Sequence, residues 1–174
     1  MSIRFLVVAV VLASAGCAST PPSPDASPWT SGRLSLRVGP SADRPLQDLS
    51  AAFELRGGGD SGELRLLSPL GTLLVAARWA PGSAFIRTPE GERGFDSLDD
   101  LSRQALGESL PLAALPDWLA GRPWPTRPHS AFPGGFEQLG WSVQTERLAQ
   151  GWIAAQRSAP PAVQLRVKLD RSEP

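Results

Sequence analysis

The sequence predicts a mainly β domain of the α+β class: a curled antiparallel sheet or incomplete β-barrel, with a lid of short helices over an apolar interior. Short segments in which apolar and polar residues alternate recur along the chain, and tight-turn signals separate them. Two segments near the middle change to helical spacing. About 145 residues follow the N-terminal region, which is enough for one domain with a real core.

The first sixteen residues have the layout of a signal peptide. Arg4 precedes an apolar run from Phe5 to Ala13, and small residues lead into Cys17. A helix that crosses a bilayer needs about 20 apolar residues, so this shorter run is not expected to remain as a membrane span. We therefore interpret residues 1–16 as an export signal that is removed.

Cys17 is the only cysteine, so no internal disulfide can form. Small residues before a cysteine resemble the lipobox of bacterial lipoproteins, which implies that Cys17 is acylated and becomes the first mature residue. Ala18 follows it, and the lipoprotein sorting rule then favours the periplasmic face of the outer membrane. The Pro- and Ser-rich composition of residues 17–28 predicts a flexible tether, and the domain is assigned to residues 29–174.

Alternation of apolar and polar residues predicts the strands of the sheet. The segments are residues 33–38, 51–56, 63–66, 72–79, 139–143, 152–155 and 163–169. Glycine and proline between several of them predict tight turns at residues 57–62, 69–71, 81–82 and 89–91. Short strands joined by such turns form an antiparallel meander, and one of about eight to ten strands tends to curl.

Helical spacing predicts two short helices, at residues 97–107 and 111–121. Ser97 with Asp100 indicates a capped start to the first helix. The apolar stripes of both helices need cover, which places them on the concave face of the sheet. They enclose either a packed core or a lidded cavity. A Pro-rich loop is expected at residues 122–135.

Charge gives no indication of a nucleic-acid partner. Without Arg4 the chain carries sixteen basic and seventeen acidic side chains, so no net charge favours nonspecific binding to polyanions. Sixteen arginines against one lysine are more simply explained by a GC-rich coding sequence, and no function is assigned to them.

The motifs of covalent catalysis are incomplete. His129 is the only histidine, so neither a transition-metal site nor a Cys–His pair is expected. Ser61 lies in a protease-like Gly-Asp-Ser-Gly segment, but His129 follows it, and Glu63 breaks the hydrolase elbow Gly-x-Ser-x-Gly. Lys168, the only lysine, ends no phosphate loop. Residues 57–62 are interpreted as a hairpin turn, and we predict neither an enzyme nor a cofactor.

Four ordered segments resemble the LolB family, the outer-membrane receptors that take lipoproteins from the periplasmic carrier LolA. They are residues 66–71, 79–82, 110–121 and 165–170. The resemblance implies an incomplete barrel with a helical lid over a cavity for acyl chains. The implied partners are a LolA-like carrier, acylated lipoproteins and outer-membrane lipids, and the protein is expected to be a monomer that works by affinity without nucleotide.

The resemblance also suggests site residues. In LolB a protruding Leu promotes membrane insertion, and Leu70 matches it between Pro69 and Gly71, which predict a tight turn. Trp118 and Leu115 are the preferred candidates for lining the acyl cavity, and the further candidates are Trp79 and Leu101.

Simpler interpretations stay open at this point. Trp79, Trp118, Trp141 and Trp152 all fit core packing, whereas Trp29 and Trp124 are assigned no role. Family members usually begin with a longer amphipathic helix, and the segment 157–163 is short here, which implies a smaller or more open cavity. The alternative function is a structural or partner-binding outer-membrane lipoprotein with a packed core and no cargo.

Overall fold

One antiparallel sheet of eleven strands forms the domain. The computed structural model describes residues 27–42, 44–106 and 108–170, so the signal, Cys17 and most of the tether lie outside the described residues. The strands are β1 Thr30–Val38, β2 Gln47–Gly57, β3 Gly62–Leu67, β4 Leu73–Ala80, β5 Ser83–Thr88, β6 Gly91–Phe95, β7 His129–Phe132, β8 Gly135–Gln138, β9 Trp141–Gln144, β10 Trp152–Arg157 and β11 Val163–Leu169. The helices are α1 Leu98–Leu106 and α2 Leu115–Leu119.

The strand order leaves the sheet open. It runs β6-β5-β4-β3-β2-β1-β11-β10-β9-β8-β7, so β1 and β11 meet at the centre while β6 and β7 form the two edges. The chain therefore winds outward from β1 to one edge and returns to the centre from the other. The segment 96–128, which contains both helices, joins the two edges.

The predicted alternation is confirmed along the central strands. In β2, Phe53 and Leu55 are each 2% exposed, whereas Glu54 and Arg56 point to the outer face. In β11, Val163 and Val167 are buried in the same way. Because side chains in a strand alternate between faces, one face of the sheet supplies the core and the other meets water.

The helices lie against the concave face, as predicted. Leu101 of α1, together with Leu112, Trp118 and Leu119 of the second helical segment, belongs to the buried cluster formed by the strands. The Ser97 hydroxyl accepts the Asp100 N–H at 3.0 Å and donates to its carboxylate at 2.7 Å, so the predicted cap is confirmed.

The second helix is shorter than predicted. Residues 112–114 form a 3-10 turn and only 115–119 form an α-helix, instead of one helix over 111–121. Pro116 explains part of the difference, because proline has no N–H to continue an α-helical hydrogen-bond ladder and fits its first turn.

Two further sequence predictions are wrong, both near the β7 edge. The Pro-rich segment 122–135 contains strand β7, so His129 belongs to an edge strand instead of a loop. Leu139 belongs to the β8–β9 turn instead of a strand: its φ is 55° and that of Gly140 is 77°. Two central residues with positive φ form a tight hairpin turn. The sheet also has eleven strands instead of eight to ten: β5, β6, β7 and β8 lie outside the segments in which alternation predicted strands.

A buried carboxylate links the outer faces of β2 and β3. Glu63 is 8% exposed, and its oxygens accept hydrogen bonds from Arg56 at 2.7 Å and Arg65 at 2.9 Å. Burial alone raises the pKa of Glu63, but the hydrogen bonds and positive charges of the two arginines outweigh it and hold this pKa below its ordinary 4.5.

We predict that Glu63→Gln lowers the free energy of unfolding at pH 7 by about 1 to 3 kcal/mol, because it leaves two arginines short of a charged acceptor. Since the folded-state pKa is lowered, the contribution of Glu63 is present above pH 4.5 and is lost as the pH falls through the folded value. Urea unfolding at pH 7 and pH 4 should therefore show a smaller pH effect in the variant. The neighbour Glu54, which is less buried and contacts Arg65 at only 3.4 Å, serves as the control when replaced by Gln and should change stability by about 0.5 kcal/mol at most.

Candidate functional site: the apolar interior and the Leu70 hairpin

The concave face and the helical segment enclose a small inner cavity of about 60 Å³. Every residue that lines it is a leucine, a proline or a tryptophan. They are Leu34, Leu36, Leu49, Leu64, Leu66, Leu110, Pro111, Leu112, Leu115, Trp118, Trp141 and Leu165. Without polar groups to bind water, such a cavity favours hydrocarbon as an occupant.

Seven of these twelve residues are only partly covered by protein. Leu34, Leu49, Leu66, Leu110 and Leu165 point toward the core cluster, yet none of them is fully buried. Core leucines in a filled interior are normally close-packed. The interior is therefore incompletely filled, which argues against a fully packed core.

A larger apolar groove adjoins the inner cavity on the β6 side. This edge groove has a volume of about 560 Å³ and lies between α1 and strands β2–β6. The two spaces share a wall formed by Leu49, Leu64, Leu66 and Leu112. Sites for small ligands have volumes of about 300 to 1,000 Å³, so the edge groove is large enough for a ligand and the inner cavity alone is not.

The four cavity candidates divide between these spaces and the core. Trp118 and Leu115 line the inner cavity, and Leu101 of α1 lines the edge groove. Trp79 is 5% exposed and lines neither space. Its indole N–H donates to the Gly58 carbonyl at 3.2 Å, so Trp79 closes the β2–β3 end of the core.

A buried glutamine holds Trp118 in place. Gln138 of β8 is 2% exposed, and its side-chain oxygen accepts the Trp118 indole N–H at 2.8 Å and the Trp124 backbone N–H at 2.9 Å. Its amide nitrogen donates to the carbonyls of Trp124 at 2.9 Å and Arg127 at 3.0 Å. One side chain thus fixes α2 and the following loop to the sheet. No pattern in the sequence marks Gln138 for this role.

We predict that Gln138→Met, which keeps the length of the side chain but removes all four hydrogen bonds, lowers the free energy of unfolding by about 3 kcal/mol. The loss arises because buried partners on Trp118 and the 124–127 loop are left unsatisfied. Chemical denaturation measures it, and Gln164→Met at an exposed position of β11 is the matched control. Equal effects of the two substitutions would contradict the assigned role.

Leu70 projects from a rigid hairpin between β3 and β4. The Gly71 N–H donates to the Ser68 carbonyl at 2.9 Å, and the Ser68 hydroxyl accepts the N–H groups of Leu70 and Thr72 at 3.3 and 3.2 Å. Gly71 has a φ of 81°, which suits a type I turn followed by a left-handed residue. Pro69 is exposed, and Leu70 is 94% exposed, the most exposed large apolar side chain in the described residues.

The remaining tryptophans differ in their surroundings. Core packing is confirmed for Trp118 and Trp141 but is wrong for Trp152, which is 38% exposed because it occupies an outward position of β10. Trp29, which was assigned no role, packs against the guanidinium groups of Arg56 and Arg65, which are 4.5 and 4.3 Å from the centre of its ring.

The structure separates the residues considered for catalysis. Ser61 lies in the β2–β3 turn, whereas His129 begins β7 at the opposite end of the strands. Within the described ranges, no three His, Cys, Asp or Glu side chains are grouped as a metal site. No helix of the described part of the chain is long and apolar enough to cross a membrane.

A family model and several known proteins that are similar to this chain all carry the name LolB. Residues 29–172 match the family model described as outer membrane lipoprotein LolB. Relatives named outer-membrane lipoprotein LolB include one from Cupriavidus metallidurans, 31% identical over 97% of this chain and 86% of the relative. Another, from Bordetella pertussis, is 34% identical over 90% of this chain and 84% of the relative. A third, from Bordetella petrii, is 30% identical over 92% of this chain and 87% of the relative.

Proposed function

Because this chain belongs to the LolB family of outer-membrane lipoproteins, we propose that it accepts acylated lipoproteins from a LolA-like periplasmic carrier and inserts them into the outer membrane. The observation that carries this proposal is the incompletely filled apolar interior, in which a cavity lined only by apolar residues adjoins a larger groove. The protein acts as a monomer, anchored through an acylated Cys17.

Affinity supplies the driving force in this proposal. Exposing an acyl chain to water costs about 0.8 kcal/mol per CH₂ group, so a free chain of ordinary length is about 10 kcal/mol above its shielded state. Cargo therefore passes between shielded sites. Transfer from the carrier requires only that the interior of this domain holds the chains more tightly, and the bilayer then accepts them. No nucleotide or catalytic residue is needed.

The edge groove is the proposed entrance for the acyl chains. Its floor is apolar, and Leu101 and Ala105 of α1 cover it from above. The inner cavity lies behind the shared leucine wall and takes the innermost methylene groups when Leu112 and its neighbours give way. Charged side chains of Glu90, Glu92 and Arg93 border the groove and remain in water.

The Leu70 hairpin provides the proposed route into the membrane. Leu74, which follows the hairpin on β4, lines the edge groove, so the groove and the insertion loop are neighbours in the fold. Inserting Leu70 into lipid is worth about 1.5 to 3 kcal/mol, which favours docking without making it permanent. The acyl group on Cys17 supplies the lasting attachment.

We expect the chain from Ala18 onward to bind a fluorescent hydrophobic probe at one saturable site, displaced by an acylated lipoprotein and not by its unacylated form. Ala105→Trp, which fills the edge groove, should weaken probe binding about tenfold, because the ligand loses its main volume. Ala149→Trp, at an exposed position remote from the groove, is the control. An absence of saturable binding in the unaltered domain would favour the structural lipoprotein without cargo.

Leu70→Glu should separate acceptance from delivery. The variant should bind the probe and accept cargo from LolA normally, because the side chain lies outside both apolar spaces. Its transfer of cargo to liposomes should fall at least about tenfold, since a charge at the tip opposes insertion. Leu46→Glu, at another exposed leucine of the described residues, is the control. Equal losses in both variants would show that Leu70 has no special role.

A further inference from the structure

The outer face of β1, β10 and β11 carries a group of cations that form no ion pair with a carboxylate of the described residues, although the Lys168 ammonium donates a hydrogen bond to the Gln150 carbonyl. Arg33 of β1 and Lys168 of β11 are directly opposite in register, and Arg166 occupies the next outward position of β11. Trp152 of β10 lies opposite Lys168 on its other side, and the Arg147 guanidinium is 5.7 Å from the Trp152 ring. We call Arg33, Arg147, Arg166, Lys168 and Trp152 the basic patch.

These cations differ from those on the other half of the sheet. Each outward arginine of β2–β5 contacts a carboxylate. The distance is 3.0 Å or less for Arg56, Arg65 and Arg87, and 3.5 Å for Arg78. No carboxylate of the described residues forms an ion pair with a cation of the basic patch.

The acids near the patch, Glu146 and Asp170, form no ion pair with its cations. Glu146 precedes Arg147 in the sequence and is exposed, and Asp170 accepts a hydrogen bond from Ser31 at 2.9 Å. Like charges directly opposite each other on neighbouring strands destabilise a sheet. The fold therefore gains no stability from placing Arg33 opposite Lys168, and the arrangement suits an external anion.

Trp152 adds an amphipathic group to the patch. It is 38% exposed, and the Lys168 ammonium is 5.3 Å from its ring. Tryptophan is favoured at the boundary between water and lipid, where its ring meets apolar surface and its N–H stays hydrated. An exposed indole among cations matches the surface of an anionic bilayer better than it matches a free anion in solution.

The patch also lies near the point at which the tether leaves the domain. Thr30 begins β1 only three positions before Arg33, and Trp29 lies on the same outer face of the sheet. Residues 18–28 separate that point from Cys17, and a chain of this length spans at most about 40 Å. A lipid anchor on Cys17 thus keeps the patch close to the membrane surface.

We propose that the basic patch binds the anionic phospholipid headgroups of the membrane that anchors the protein. This inference rests on the proposed acylation of Cys17. The patch supplies positive charge to the lipid phosphates, and Trp152 lies at the headgroup level. Thr30 lies at the end of the sheet where β3 begins, whereas Leu70 follows the other end of β3. The two membrane contacts are therefore made by different parts of the domain.

Vesicle binding tests this proposal. The strands and helices of the described residues lie between Thr30 and Leu169, so a chain that begins at Ala18 keeps all of them. At low salt it should bind vesicles of phosphatidylethanolamine with about a quarter phosphatidylglycerol more tightly than vesicles of phosphatidylcholine. Each cation near an anionic surface contributes about fivefold, so the triple variant R33Q/R166Q/K168Q should lose at least about tenfold. High salt should abolish the preference.

The control R37Q/R78Q/R87Q has the same change in net charge but removes exposed arginines that are already paired. It should keep most of the vesicle binding. Equal losses in the two variants, or equal binding of the unaltered domain to both vesicle types, would overturn the proposal. The proposal would also be overturned if the triple variant bound vesicles normally but accepted cargo poorly from the carrier, because that result would indicate that the patch binds a protein partner. Binding of the hydrophobic probe is independent of the patch and reports separately on the receptor function.

Discussion

The architecture depends on covering the concave face of a sheet whose edges do not meet. Because β6 and β7 remain unpaired with each other, the apolar face between them would be exposed to water without the segment that joins them. That segment contributes Leu101, Leu112 and Trp118 to the core. Two short helices cannot fill the whole width of an eleven-stranded curve, and the inner cavity and edge groove are part of the space that they leave unfilled. The binding space thus follows from the topology.

The cover is held differently on its two sides. Toward β8–β10 it is fixed by polar contacts: Gln138 holds Trp118, and Arg157 of β10 contacts Glu108, just after α1, at 2.7 Å. Toward β5 and β6, no hydrogen bond of the described residues joins α1 to the sheet, and its contacts there are apolar. Apolar contacts are non-directional and can be exchanged for contacts with an acyl chain. The edge groove lies on that replaceable side.

The sequence predicted those elements whose side chains have one buried and one exposed face. β2 and β11 are examples, because their alternation reflects the core directly. β6 and β7 are edge strands whose residues are almost all exposed, so burial imposed no pattern on them. Gln138 resembles any other strand glutamine until the three residues that form its four hydrogen bonds are brought together in space. The exposure of Leu70 followed from turn chemistry, whereas its proposed role came from the family resemblance.

The balanced net charge of the chain conceals an uneven distribution. Carboxylates pair with the arginines on the outer faces of β2–β5, whereas no carboxylate of the described residues pairs with Arg33 or Lys168, so positive charge is balanced unevenly across one surface. Such an uneven balance orients a domain near a charged membrane even when its total charge is close to zero. Leu70 alone contributes too little to fix an orientation, since about 1.5 to 3 kcal/mol shifts an equilibrium by roughly ten- to a hundredfold. Weak insertion suits a receptor that must dock, release its cargo and withdraw, provided that the anchor and the basic patch keep the domain near the membrane between deliveries.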